Sequence, residues 1–85
     1  MTAYKTAPAL ADGWEKVSAQ LQNVLITHSW VDPVHVYVGT AAPDADSAYH
    51  ECRAGMPFSM AGVSGQDVYI RSSVERPLLV AVTAA

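Results

Sequence analysis

From Trp14 onward the chain alternates apolar and polar side chains with period two, the mark of strands that bury one face. Val17, Ala19 and Leu21 alternate with Lys16, Ser18 and Gln20. The phase slips across Gln22-Asn23 and resumes as Val24, Ile26, His28 and Trp30. One inserted residue turns every later side chain to the opposite face, so a bulge or short turn is predicted there. A helix over 14–26 is the rival reading, because Trp14, Val17, Leu21, Val24 and Leu25 also fit a 3.6-residue period. Continued alternation to Trp30 favours the strand.

Asp32-Pro33 predicts a turn, with proline presetting one backbone torsion and aspartate accepting local backbone hydrogen bonds. Val34–Gly39 is the clearest strand, with Val34, Val36 and Val38 on one side and His35 and Tyr37 on the other. Residues 41–47, with Pro43, Asp44 and Asp46, read as a loop. In 48–54, Tyr49, Glu51 and Arg53 alternate with His50 and Cys52. Met56, Phe58 and Met60 keep the period around Pro57, which confines that segment to an edge strand or an extended crossing. A turn over 62–66, a strand over 67–71, a loop over 72–77 and a last strand over 78–83 complete the pattern. Residues 1–13 hold Pro8 and Gly13 with no sustained period and read as an extended N-terminal arm, leaving 14–85 as a single β domain. Strand-like runs recur roughly every ten to fifteen residues between Gly, Pro and Asp signals, which predicts an all-β fold: a small antiparallel β-sandwich or barrel of about six strands.

Composition narrows the function classes. The 85 residues are 51% apolar, with 11 valines among them, which excludes an intrinsically disordered chain. So small a core fills itself and leaves no large enclosed active-site cavity. The formal net charge is −3, and Lys5, Lys16, Arg53, Arg71 and Arg76 are scattered, which argues against nucleic acid as a partner. Cys52 is the single cysteine, so no internal disulfide framework holds the fold. Met1–Lys5 lacks the apolar stretch of a signal peptide, and the longest apolar run, Leu78–Val82, falls far short of a membrane span. A soluble chain folded in the cytoplasm is expected, with no membrane partner.

Three constellations invite chemistry and none is complete. His50 and Cys52 share a strand face, with His28 and His35 elsewhere, but neither paired C-x-x-C spacing nor H-E-x-x-H accompanies them, so no metal site is predicted. A Cys–His nucleophile would need a lowered thiol pKa, oxyanion donors and a cleft, and nothing near Cys52 supplies them. Asp44-Ala45-Asp46 resembles the start of a calcium loop without its glycine or closing glutamate. No catalytic residue, cofactor or metal is therefore expected. The tyrosines are more informative. Tyr37, Tyr49 and Tyr69 all sit on the more polar face of their strands, and neighbouring strands would gather them into a stripe, either exposed for protein contacts or half-buried as cross-strand packing.

The order Val34-His35-Val36-Tyr37-Val38-Gly39-Thr40, an acidic loop, Arg53-Ala54-Gly55-Met56-Pro57-Phe58, Asp67-Val68-Tyr69-Ile70-Arg71 and Pro77-Leu78-Leu79-Val80-Ala81-Val82-Thr83 resembles small β-structured virion proteins of tailed bacteriophages. The resemblance spans 34–83 and rests on texture rather than on a catalytic motif; residues 14–30 carry no matching signature. It implies a non-enzymatic virion structural protein, foremost a capsid decoration (cement) protein bound to the major capsid protein lattice. Such proteins are often trimeric and often clamp neighbouring subunits with an N-terminal arm. Expected contact residues are Tyr4, Lys5 and Leu10 on the arm, Tyr37, Tyr49 and Tyr69 on the stripe, and Arg71 and Arg76 at an interface rim. The alternative is a small acidic phage-encoded inhibitor or adaptor of a host protein.

Overall fold

The period-two segments are strands, and the described residues hold eight of them: β1 (Thr2–Ala7), β2 (Glu15–Ala19), β3 (Asn23–Thr27), β4 (Val34–Gly39), β5 (His50–Cys52), β6 (Phe58–Ala61), β7 (Asp67–Ser72) and β8 (Leu78–Ala84). The computed structural model describes residues 2–19, 23–40, 43–44, 47–61 and 66–84. Every strand pairing is antiparallel, and the strands divide into a first sheet, β1-β8-β3-β6, and a second sheet, β2-β7-β4-β5. The architecture is a small β-sandwich.

Alternation fills the space between the sheets. Val24 and Ile26 of β3 and Leu78, Val80 and Val82 of β8 face inward from the first sheet; Val34 and Val36 of β4 and Val68 and Ile70 of β7 meet them from the second. Ala7, Val17 and Cys52 complete the cluster. β-Branched valine suits this setting, since it packs well on a pleated surface and each fully buried side chain contributes about 1.5–3 kcal/mol.

Four expectations change. The arm is the first. Residues 2–7 do extend, but as an edge strand in unbroken register with β8 from Thr2↔Thr83 to Ala7↔Leu78. Pro8 and Leu10 then tie the crossing to the end of β7, with Ser72 N–H donating to the Pro8 carbonyl at 2.8 Å and Leu10 N–H to the Val74 carbonyl at 2.9 Å. Threonines, alanines and one tyrosine have too little apolar content to show as a strand by periodicity, yet β8 offers them a complete ladder. Second, the phase slip, where a bulge or short turn was expected, falls between two sheets, and residues 20–22 lie outside the described residues. β2 lies in the second sheet and β3 in the first, so the change of phase accompanies a change of sheet. A bulge lies inside β2, where the register shifts between Lys16 and Ser18. Third, β3 stops at Thr27 and Trp30 is in the loop beyond it. Fourth, the described residues hold eight strands where about six were expected, because β1 is one and the 14–30 run is two. The turn expected over 62–66 falls largely outside the described residues.

Candidate functional site

The outward positions of the second sheet carry the chemistry. With Val34, Val36 and Val38 turned inward, β4 presents His35, Tyr37 and Gly39 on its other side; β7 presents Asp67, Tyr69 and Arg71. The register sets His35 opposite Arg71, Tyr37 opposite Tyr69 and Gly39 opposite Asp67. β5 adds Glu51 opposite His35, and β2 adds Lys16 opposite Tyr69. Trp14 enters just before β2 and Tyr49 just before β5.

These side chains form one cluster. The Tyr37 and Tyr69 ring centroids are 6.2 Å apart and tilted, and Trp14 stands 6.1 Å from Tyr37. The Arg71 guanidinium lies 4.3 Å from the Trp14 ring centroid and 5.7 Å from that of Tyr49. It also donates to His35 Nδ1, at 3.1 Å from Nη2 and 3.4 Å from Nε. Tyr49 stacks on His35, centroids 3.7 Å apart. Asp44 meets this face: the Trp14 indole N–H donates to the Asp44 carbonyl at 3.2 Å. Asp44 and Ser47 brace one another, the Asp44 N–H donating to Ser47 Oγ and that hydroxyl to Asp44 Oδ1, both at 3.1 Å. At the margins run two ion pairs, Lys16–Asp67 at 3.5 Å and Arg53–Glu51 at 2.7 Å.

Gly39 is there because of Tyr37. A methyl group at Gly39 would come within 2.7 Å of the Tyr37 ring, so the missing side chain is what lets the ring lie flat along its own strand.

Electrostatics follow from burial. Arg71 and His35 are 4% and 6% exposed. Burial pushes the His35 pKa below 6.5, the neighbouring Arg71 cation pushes it further down, and Glu51 pulls the other way. Because Arg71 can only donate, His35 Nδ1 must accept, which fixes the neutral ring with its proton on Nε2. The buried guanidinium is backed by a neutral imidazole and faced by indole and phenol rings, a cation–π network worth ~0.5–2 kcal/mol per contact.

The structure therefore gathers Tyr37, Tyr49, Tyr69 and Arg71, four of the expected contact residues, on one face. It also corrects how they sit. Tyr69 is buried at 7% exposure, Tyr37 is half-buried and only Tyr49 is well exposed, so the stripe is largely cross-strand packing with Tyr49 outermost. Arg71 is buried beneath the rings, not on a rim. The remaining four lie elsewhere. Tyr4, 74% exposed, stands on the outside of the first sheet. Lys5 sits opposite Val80 on the edge strand. Leu10 is half-buried in a short 3-10 turn, Leu10–Asp12. Arg76 pairs with Asp32 at 3.2 Å and lies 5.5 Å from the Trp30 ring.

Sequence reasoning missed Trp14 and His35 as members of the cluster. His35 had a readable signal: a polar residue between two inward valines must face outward. Trp14 had none, since nothing in the sequence says that β2 borders β7.

Cys52 is enclosed in the core. Its thiol donates to the Ile26 carbonyl at 3.5 Å and lies 3.9 Å from the Met56 carbonyl. Burial pushes its pKa up, offset in part by a hydrogen bond from the Phe58 backbone. His50 packs near Phe58, centroids 5.8 Å apart. Among the described residues no group of three or more His, Cys, Asp or Glu is placed to hold a metal ion; Asp46, part of the calcium-like pattern, lies outside them.

Compared with protein-family models, with curated proteins and with solved structures, the chain matches none.

Proposed function

We propose that this chain is a non-enzymatic structural protein of a tailed-phage virion, a capsid decoration protein that docks on the major capsid protein lattice through the outer face of its second sheet. The observation that carries the reading is exposed Tyr49, with half-buried Trp14 and Tyr37 beside it, held on that face over buried Tyr69 and Arg71. Tryptophan, tyrosine and arginine are the residue types that dominate binding energy at protein interfaces. They lie here outside the sandwich core, where the Val-rich interior does not need them. The resemblance of residues 34–83 to small virion proteins supports the same role. With residues 2–7 held by β8, docking falls to this face rather than to a free arm.

The test is co-sedimentation of the purified protein with capsids of the phage that encodes it, assembled without it. Saturable binding at hundreds of copies per particle is expected. A few to a dozen copies would move the protein to the portal, tail or fibre. No binding at micromolar protein would overturn the reading and favour the inhibitor or adaptor alternative, which predicts capture of one soluble host protein at unit stoichiometry.

A further inference from the structure

The two sheets divide the charge unequally. The strands of the first sheet hold one charged residue, Lys5, whereas those of the second hold Glu15, Lys16, Glu51, Asp67 and Arg71. Lys5 is level with Val80, whose side chain is buried, so by alternation it belongs to the inward side of its edge strand. The outward strand positions of the first sheet are therefore neutral, and the Arg76–Asp32 pair beside Trp30 at its margin is internally balanced. The sheet's register aligns Tyr4, Ala81 and Thr27 in one row and sets Thr6 beside Leu79 and Leu25 beside Thr83. Tyr4, Leu79 and Leu25 are 74%, 46% and 40% exposed.

One end of this face is built rather than frayed. Past the last β3–β8 pair, Thr27↔Ala81, the Trp30 indole N–H donates to the Leu79 carbonyl at 2.7 Å. The Trp30 backbone N–H donates to His28 Nδ1 at 3.1 Å. His28 Nε2 therefore carries the ring proton and donates to the Cys52 carbonyl at 2.6 Å. Between this corner and Tyr4 lies a shallow groove of about 320 Å³, lined by Tyr4, Thr27, His28, Ser29, Leu79 and Ala81.

We propose that this face docks on the same face of a second copy of the chain. Charge selects the partner. The protein is anionic, and this neutral sheet face is where a second copy can approach without like charges meeting or ions losing water. Geometry selects the mode. The edges resist strand addition: β1 carries an inward-side lysine, β2 a register shift, β5 has three residues, and β6 has four behind Pro57. Contact is left to the faces, and a sheet face meeting its own copy forms a two-fold, isologous interface rather than the three-fold that the virion resemblance implies. Area sets the strength. Four strands about 4.8 Å apart and about six residues long span about 19 by 20 Å. Tyr4, Leu79 and Trp30 standing above that plane bring the accessible area toward the ~600 Å² per partner at the lower end of stable interfaces. An interface at this end of the size range belongs to the weak, reversible class, read at micromolar to millimolar chain.

The test is sedimentation equilibrium of the full chain across a concentration series, with no capsid present, so its failure is separate from failure of particle docking. The mass should rise from 9.0 kDa toward about 18 kDa, one closed pair. Leu79→Glu should weaken the pair at least tenfold with an unchanged circular dichroism spectrum, whereas Met56→Gln, at an exposed apolar site outside this face, should leave it intact. A wild-type mass fixed at 9.0 kDa would overturn the proposal, as would convergence on a trimer or a pair indifferent to Leu79→Glu.

Discussion

Arg71 and His35, directly opposite one another on β7 and β4, are joined by a hydrogen bond from the guanidinium into His35 Nδ1 at 3.1 Å, which only an uncharged imidazole can accept. The unfolded chain takes up this proton near pH 6.5, whereas burial and then Arg71 hold the folded ring below that, against the pull of Glu51. The unfolded state therefore binds more protons below 6.5. Stability is full above that pH and falls as pH drops through it toward the folded pKa, by up to ~1.4 kcal/mol per pH unit. Thermal unfolding at about pH 5 and about pH 7.5 measures the loss. His35→Gln, which can still accept from Arg71 but does not titrate, should lose less on acidification than the wild type. Equal losses would remove His35 as the cause.

Deleting residues 2–7 should cripple the sandwich rather than release a folded domain. β1 covers β8 along six register pairs, and its loss uncovers the edge above Leu78, Val80 and Val82 and takes buried Ala7 out of the core. A loss of about 3 kcal/mol would lower the melting temperature by about 15 °C, out of a total stability of about 4–13 kcal/mol for this length. A truncated protein melting with the wild type would mean that β1 is an arm after all.

Cys52 should be inert. With its thiol enclosed and its pKa raised, alkylation by iodoacetamide near pH 8 should proceed only in step with unfolding, at least a hundredfold slower than in denaturant. Rapid reaction in the native protein would reopen the case for a functional thiol.

Gly39→Ala separates the contact face from the core. The added methyl would sit 2.7 Å from the Tyr37 ring, so the ring must swing away from Trp14 and Tyr69. Stability should change by ~1 kcal/mol or less, because the ring end can move without disturbing the interior. Particle binding should drop severalfold more than stability accounts for. A variant that melts early but binds normally would contradict this assignment.

The strands of the interior were legible because aliphatic residues recur at every second position in β4, β7 and β8, where burial on one side alone decides the pattern. The same alternation predicted that Tyr37, Tyr49 and Tyr69 would fall on the polar side, and pairing β4 with β7 and β5 brought them together. Depth was hidden: Tyr69 packs against Tyr37, and Arg71 lies against Trp14 and Tyr49, contacts that depend on sheet order and have no local sequence signal. β1 was illegible for a different reason. Its Thr, Ala and Lys residues have little to bury themselves and become a strand only because β8 supplies partners. The sheet change after β2 left a visible trace, the phase slip, but an inserted residue and a crossing between sheets leave the same mark.

We propose that the aromatic face of the second sheet holds the protein to a capsid. The most direct test compares saturation binding to capsids lacking the protein for the wild type and Tyr49→Ala. Tyr49 is 43% exposed, so its truncation should leave the fold intact while lowering affinity about thirtyfold, or ~2 kcal/mol, with the number of copies at saturation unchanged. Binding by Tyr49→Ala indistinguishable from the wild type would contradict the account.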